Sequence, residues 1–124
     1  GGNLVDMVRC AKYCEIIREE NLVENARIIG EHFGERMQEL GREFPGVHNV
    51  RGRGLMRAFS LPDKGMRDHV RQACWDAGVA VLPAGQQTIR FRPCLNVTRE
   101  EIDHAIDVLR QVLGAATAAT GLPS

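Results

Sequence analysis

Residues 88–95 read Thr-Ile-Arg-Phe-Arg-Pro-Cys-Leu, and the two arginines in this apolar run are the side chains best suited to do chemistry. In an extended strand successive side chains point to opposite sides, so Arg90 and Arg92 share one face and Ile89 and Phe91 the other. A guanidinium fixed on a strand, with a proline restraining the backbone after it, can grip a carboxylate through two parallel hydrogen bonds. Each such charge-assisted bond contributes on the order of 1.5–3 kcal/mol when well formed. The same residues suit a sheet-edge strand whose arginine stems lie over apolar neighbours, and the chemistry alone does not separate the two.

Other reactive residue types do not assemble at a recognisable spacing. Gly52-Arg53-Gly54 invites comparison with a phosphate loop, where glycines let backbone amides approach an anion. A strand follows it, though, and the helix N-terminus that would hold a phosphate is missing, so the segment reads as a structural turn. His32, His48, His69 and His104 are isolated and mostly fall on polar helix faces, with no local Ser-His-carboxylate or Cys-His spacing. Glu100, Glu101 and Asp103 start a helix, where carboxylates suit the positive end of the dipole. Cys10 and Cys14 stand one helical turn apart, but no further Cys or His completes a tetrahedral metal site. All the cysteines, Cys74 and Cys94 included, therefore read as buried reduced thiols.

At 124 residues the chain is one domain of ordinary size. A chain of that length buries roughly two-thirds of its unfolded surface. Its 16 basic and 16 acidic residues cancel, which leaves no broad electrostatic footprint for nucleic acid or an anionic membrane. No run approaches the roughly 18 apolar residues of a membrane helix and no signal peptide is visible, so a cytoplasmic chain is the expectation.

The elements that position the arginines follow from hydrophobic periodicity. Polar residues recur at every third position from Asn3 to Arg18, and at about 100° per residue such a stripe winds around a helix. A helix of this kind is expected to touch apolar partners on several sides, as one wedged between domains or subunits does. A second helix is expected from Asn21, an N-cap with Glu24 three residues on. Leu22, Ala26, Ile29, Phe33, Met37 and Leu40 give it one apolar side before Phe44-Pro45-Gly46 ends it.

Arg51-Gly52-Arg53-Gly54 reads as a turn into a strand over Leu55–Leu61. Asp63 caps a helix carrying Met66, Val70, Ala73 and Ala77 and closed by Gly78. Val79–Leu82 and the arginine stretch then form a short hairpin around Pro83-Ala84-Gly85. Thr98 and Glu101 make a capping box for a last helix with Ile102, Ala105, Ile106, Leu109 and Leu113 on its apolar side, closed by Gly114. The small residues that follow are expected to fray. The sum is an α+β fold, a small mixed or antiparallel sheet covered by helices.

Four segments, GGNLVDMVR at 1–9, VRGRGLM at 50–56, GVAVLPAG at 78–85 and TIRFRPCL at 88–95, resemble successive signatures of the class III pyridoxal-phosphate-dependent aminotransferases in order and spacing. The pairing of RGRGLMxAFSLP with LPAGxxTIRFRPxL is most similar to members that move the ε-amino group of lysine to 2-oxoglutarate. The resemblance runs from residue 1 to about Leu113 and covers only the last part of such an enzyme. It implies the C-terminal small domain of a fold-type-I transferase. Residues 1–20 would be a helix linking to a large domain outside this chain, residues 21–114 the small domain and residues 115–124 a flexible tail. The parent would be a homodimer.

In that family a lysine forms a Schiff base with the cofactor and a buried acid partners its pyridine nitrogen, both supplied upstream of the GGN motif. Neither Lys12 nor Lys64 matches the catalytic lysine, and the hydroxyl residue that contacts the cofactor phosphate precedes GGN. The resemblance therefore implies that the chain supplies no catalytic or cofactor-binding residue and is inactive by itself. One position carries over: Arg90 matches the arginine of the [IV]RFxPxL motif, which binds a substrate carboxylate. Arg92 has no counterpart, and Cys94 stands where relatives usually show proline. Two other readings remain, a stand-alone carboxylate-binding or regulatory α+β module and an ω-aminotransferase of another donor type, such as ornithine.

Overall fold

The structure, a computed structural model, describes residues 5–7 and 19–120. In chain order these form β1 (Val5–Asp6), α1 (Glu19–Glu43), β2 (His48–Arg53), β3 (Met56–Ser60), α2 (Lys64–Asp76), β4 (Val79–Ala80), β5 (Leu82–Ala84), β6 (Thr88–Phe91) and α3 (Arg99–Thr120). Strands β2, β3, β6 and β5 build an antiparallel sheet in that order, and β1 pairs with β4 in parallel. This is the α+β fold with a small antiparallel sheet that the periodicity indicated.

One face of the sheet is largely dry because Phe59 of β3 and Ile89 and Phe91 of β6 all project from it. Phe59, Ile89 and Phe91 are fully or almost fully buried on it. The apolar stripe of α1 meets them: Phe33, Met37 and Leu40 have no exposed surface, and the Phe33 ring stands edge-on to Phe91 with centroids 5.6 Å apart. That T-shaped arrangement suits the ring quadrupoles. Ile102, Ala105, Ile106, Leu109 and Leu113 of α3 join the same core. Two polar contacts at the rim tie α1 to α3, His32 Nε2 lying 2.5 Å from Asp103 Oδ1 and Arg110 Nε donating to Glu43 Oε2 at 2.8 Å.

Local signals fix where α2 and α3 start. The Asp63 carboxylate accepts from Met66 N at 2.8 Å, an N-cap. Thr98 and Glu101 form the capping box, with Thr98 N donating to Glu101 Oε1 at 3.0 Å and Glu101 N donating to Thr98 Oγ1 at 3.1 Å. The β2–β3 hairpin docks on α1 through glycine. A Cβ on Gly30 would lie 2.6 Å from Gly54 C, and one on Gly34 would lie 2.7 Å from Arg57 Cζ. Into the space so opened Arg57 reaches, donating from Nε to Gly54 O at 2.8 Å and from Nη2 to Gly30 O at 3.1 Å. Burial pushes the Arg57 pKa down, and the backbone carbonyls around it replace the lost water.

Several expectations are corrected. Val5–Asp6 is a strand, where a helix from Asn3 was expected: a parallel partner, β4, takes up its backbone groups, with Val5 N donating to Gly78 O at 2.8 Å and Met7 N to Ala80 O at 2.9 Å. The rest of the winding polar stripe, up to Arg18, lies outside the described residues. Asn21 is inside α1 and does not cap it, since α1 already includes Glu19. The turn expected at Arg51–Gly54 is mostly strand β2. Gly114 does not end α3, which continues to Thr120, so the first part of the tail expected to be flexible is helical. Alanine is the best helix former, one glycine costs only about 1 kcal/mol, and Ala116 and Thr117 are buried. Cys94 is disulfide-bonded, contrary to the reduced thiol expected, because spacing along the chain does not reveal a pairing made in space. Cys74 is free and buried, and desolvation pushes its thiol up to about 12.

Candidate functional site

The other face of the sheet is built of arginines. Residues directly paired in an antiparallel sheet project from the same side. Arg51 pairs with Ala58, Ala58 with Arg90, and Arg90 with Leu82, so these four stand in one row. Arg53 pairs with Met56 in the next row, and Arg92, just past the end of β6, lines the same pocket as Arg90. An irregularity between His48 and Arg51, with Asn49 at a φ of 53°, sets which β2 side chains face which way. Three residues of β2 are spent against two of β3, which turns Val50 onto the core and Arg51 and Arg53 onto the arginine face. Gly52 is obligatory between them: its φ is 135°, and a Cβ there would lie 2.1 Å from Met56 O.

These side chains surround an open pocket of about 600 Å³ whose lining includes Arg51, Arg53, Met56, Ala58, Arg90 and Arg92. No carboxylate lines it. Arg51 is held in place, with Nη1 donating to Asn49 O at 2.8 Å and Nη2 to Thr88 Oγ1 at 3.2 Å. Arg90 is exposed, lies between buried Ile89 and Phe91, and its guanidinium makes no hydrogen bond or ion pair among the described residues. A strand rooted in the core thus presents an uncompensated cation at a rigid position, which suits an anionic ligand. Arg92 donates its backbone N–H to Met7 O, so the segment after β1 is tied to the end of the arginine strand.

The structure therefore brings Arg90 and Arg92 to one pocket, although Arg92 lies just beyond β6, and adds Arg51 and Arg53, which the turn reading leaves out. Their signal was present: Arg51-Gly52-Arg53 has the same period of two as Arg90-Phe91-Arg92. No histidine lines the pocket. His32 is engaged by Asp103, and His48 lies with its Nδ1 3.0 Å from Gly46 O. Among the described residues no group of His, Cys, Asp or Glu is arranged to hold a metal, and no helix is long and apolar enough to cross a membrane. A pyridoxal cofactor needs a lysine amine for its aldehyde and an acid for its ring nitrogen. The one lysine among the described residues, Lys64, is exposed on α2, paired with Asp68 at 2.8 Å and absent from the pocket lining. The described residues do not by themselves hold such a group.

Residues 1–113 match the family model described as aminotransferase class-III. The chain is 48% identical over 118 residues to the L-lysine-epsilon aminotransferase of Mycobacterium tuberculosis H37Rv, covering 94% of this chain and 26% of that protein. It is 37% identical over an alignment of 127 residues to the ornithine aminotransferase of Bordetella pertussis, covering all of this chain and 30% of that protein. The solved lysine aminotransferase from M. tuberculosis in the internal aldimine form superposes with a TM-score of 0.76 at 46% identity, over 79% of this chain and 23% of that one. The chain thus spans about a quarter of the length of the lysine aminotransferases it matches. With the helix-covered sheet, the arginine strand and these likenesses taken together, the chain belongs to the class-III aminotransferase family.

Proposed function

We propose that this chain is the carboxylate-reading small domain of a pyridoxal-phosphate-dependent aminotransferase that moves the ε-amino group of L-lysine to 2-oxoglutarate. Arg90 grips the lysine α-carboxylate, which leaves the distal amine to extend away from the sheet toward the reacting centre. The observation that carries this is the exposed, uncompensated Arg90 guanidinium on a strand whose neighbours Ile89 and Phe91 are buried. Likeness to a lysine aminotransferase at 48% identity favours lysine over ornithine, at 37%, as the amino donor.

The cofactor supplies the electron sink for the reaction, and the lysine and acid that hold it belong to a large domain. This chain's own residues bind and orient: Arg90 fixes one end of the substrate, and the dry face beneath β6 keeps that strand from shifting. Residues 1–20 lead toward the large domain, residues 21–114 form the small domain, and the working enzyme is a homodimer. By itself the chain is inactive, because no described lysine reaches the arginine pocket. In the full-length enzyme carrying this segment, Arg90→Gln raises the KM for lysine by about tenfold to a hundredfold, the worth of one bidentate pair. An unchanged KM for lysine overturns the assignment of Arg90. Lysine-dependent turnover by the purified 124-residue chain supplied with pyridoxal phosphate overturns the assignment of the chemistry to another domain.

A further inference from the structure

Arg67 of α2 is the one charged residue that is buried among the described residues, at 4% exposed. Enclosing a guanidinium is unfavourable unless its donors are met. Nη1 donates to three backbone carbonyls, Ala84 O at 3.3 Å, Gly85 O at 3.4 Å and Thr88 O at 3.2 Å, and Nε donates to Asp68 Oδ1 at 2.7 Å. Asp68 is held in turn by Lys64 Nζ at 2.8 Å, which fixes the fork from the solvent side. Ala84 and Thr88 are the paired residues on either side of the β5–β6 turn, so one cation grips both ends of it.

That turn leads straight into the strand bearing Arg90. Thr88 begins β6 and stands two residues before Arg90, and its Oγ1 accepts from Arg51 Nη2 at 3.2 Å. Burial of Ile89 and Phe91 fixes how deep β6 sits in the sheet. The grip on Ala84, Gly85 and Thr88 fixes how the strand begins, and with it the twist at which Arg90 leaves the backbone. Arg67 does not line the arginine pocket, so any effect it has there passes through β6.

We propose that Arg67 is a positioning residue for the carboxylate clamp: its buried guanidinium holds the β5–β6 turn closed from behind the sheet and so aims Arg90 at the substrate. The proposal rests on the reading of Arg90 as that clamp. Gln87 keeps its own ties to the end of β3, with Leu61 N donating to Gln87 O and Gln87 Nε2 donating to Leu61 O, each at 2.8 Å. Removing Arg67 therefore leaves the hairpin in the sheet and loosens only its aim.

Steady-state kinetics with lysine on the full-length enzyme carrying this segment test it. Arg67→Met is expected to raise the KM for lysine by about three- to tenfold and to leave kcat within about twofold, because binding of the carboxylate is lost equally from ground and transition states. Arg67→Lys is expected to recover part of the loss, since it keeps the charge but cannot span three carbonyls and Asp68. The decisive measurement is the double variant. If Arg67 acts through Arg90, adding Arg67→Met to Arg90→Gln raises KM no further, whereas a role elsewhere in the fold gives additive losses. Circular dichroism matching the parent enzyme shows that each variant is folded. Should Arg67→Met not fold, Arg67→Lys and Asp68→Ala take its place, each expected to raise KM by about two- to threefold without lowering kcat. If the Arg67 variants leave KM unchanged, lower kcat instead or add to Arg90→Gln, the positioning role is wrong while the clamp stands. If Arg90→Gln itself leaves KM unchanged, the clamp falls and this proposal with it.

Discussion

Replacing Gly30 by alanine sets two effects of opposite sign against each other at one position of α1. In a helix interior the substitution favours folding by about 1 kcal/mol through backbone entropy. Against this, the new Cβ would stand 2.6, 2.8 and 2.9 Å from the C, Cα and O atoms of Gly54, which are backbone and cannot swing aside. The β2–β3 hairpin must move off the helix. Overpacking of this kind costs about 1–3 kcal/mol. The movement also stretches the Arg57 bonds to Gly54 O (2.8 Å) and Gly30 O (3.1 Å), which hold hairpin and helix together. Hydrogen bonds from a charged donor contribute about 1.5–3 kcal/mol each, a figure reduced here because Arg57 is only partly shielded from water. The net expectation for Gly30→Ala is a loss of about 2–3 kcal/mol.

Gly114→Ala in α3 is the control, because nothing lies within 4 Å of its Cβ position and only the helix-propensity gain of about 0.5–1 kcal/mol remains. Urea unfolding followed by far-ultraviolet circular dichroism reads both. With a slope of about 1–3 kcal/mol per molar urea, the Gly30 variant should lose about 1–2 M in midpoint and the Gly114 variant should gain a few tenths. A Gly30→Ala protein as stable as the parent chain, or two variants shifting in the same direction, would refute the packing argument.

Two further expectations follow from ionisation. The Asp68 carboxyl is held below its ordinary value of 3.8, chiefly by the hydrogen bond from Lys64 and then by that from Arg67. A lowered folded-state pKa contributes stability that is present above the ordinary value and is lost as pH falls through the folded one. Asp68→Asn should therefore show a shallower loss of stability than the parent chain between about pH 4 and pH 2, and identical acid limbs in the two proteins would contradict this. Cys74, pushed up to about 12 by burial, should resist iodoacetamide in the native chain at pH 8 and react fully in urea. Mass spectrometry reads the adduct, and rapid native labelling at Cys74 would show that the α2 packing is wrong.

Much of the fold was legible because its signals are local. The Asp63 cap and the Thr98–Glu101 box depend on atoms three residues apart and form as their spacing indicates. The stripe on α1 and the alternation in β6 name their buried faces correctly, since period alone decides which side chains share a side. The misread elements depend on distant partners. β1 exists because β4 lies beside it, and β2 becomes a strand because β3 pairs with it and leaves no room for a side chain at Gly52. A window that reads Gly-Arg-Gly as a turn has no access to either partner. The helical run past Gly114 was missed because a glycine was read as a stop where burial of Ala116 and Thr117 carries the helix on.

For the site, the sequence by itself determined that Arg90 stands on the side of a strand opposite to apolar Ile89 and Phe91, because the strand period is a property of the backbone. It also carried the family signatures. Only the tertiary structure decided that Arg51 and Arg53 join them, since that depends on a bulge near Asn49 and on which residues of β3 lie opposite β2. It also decided that Ala58 lies between Arg51 and Arg90 while Met56 pairs with Arg53 in the next row. Register between strands is set by contacts far apart along the chain, and the register turns an arginine motif into a pocket lined from three strands.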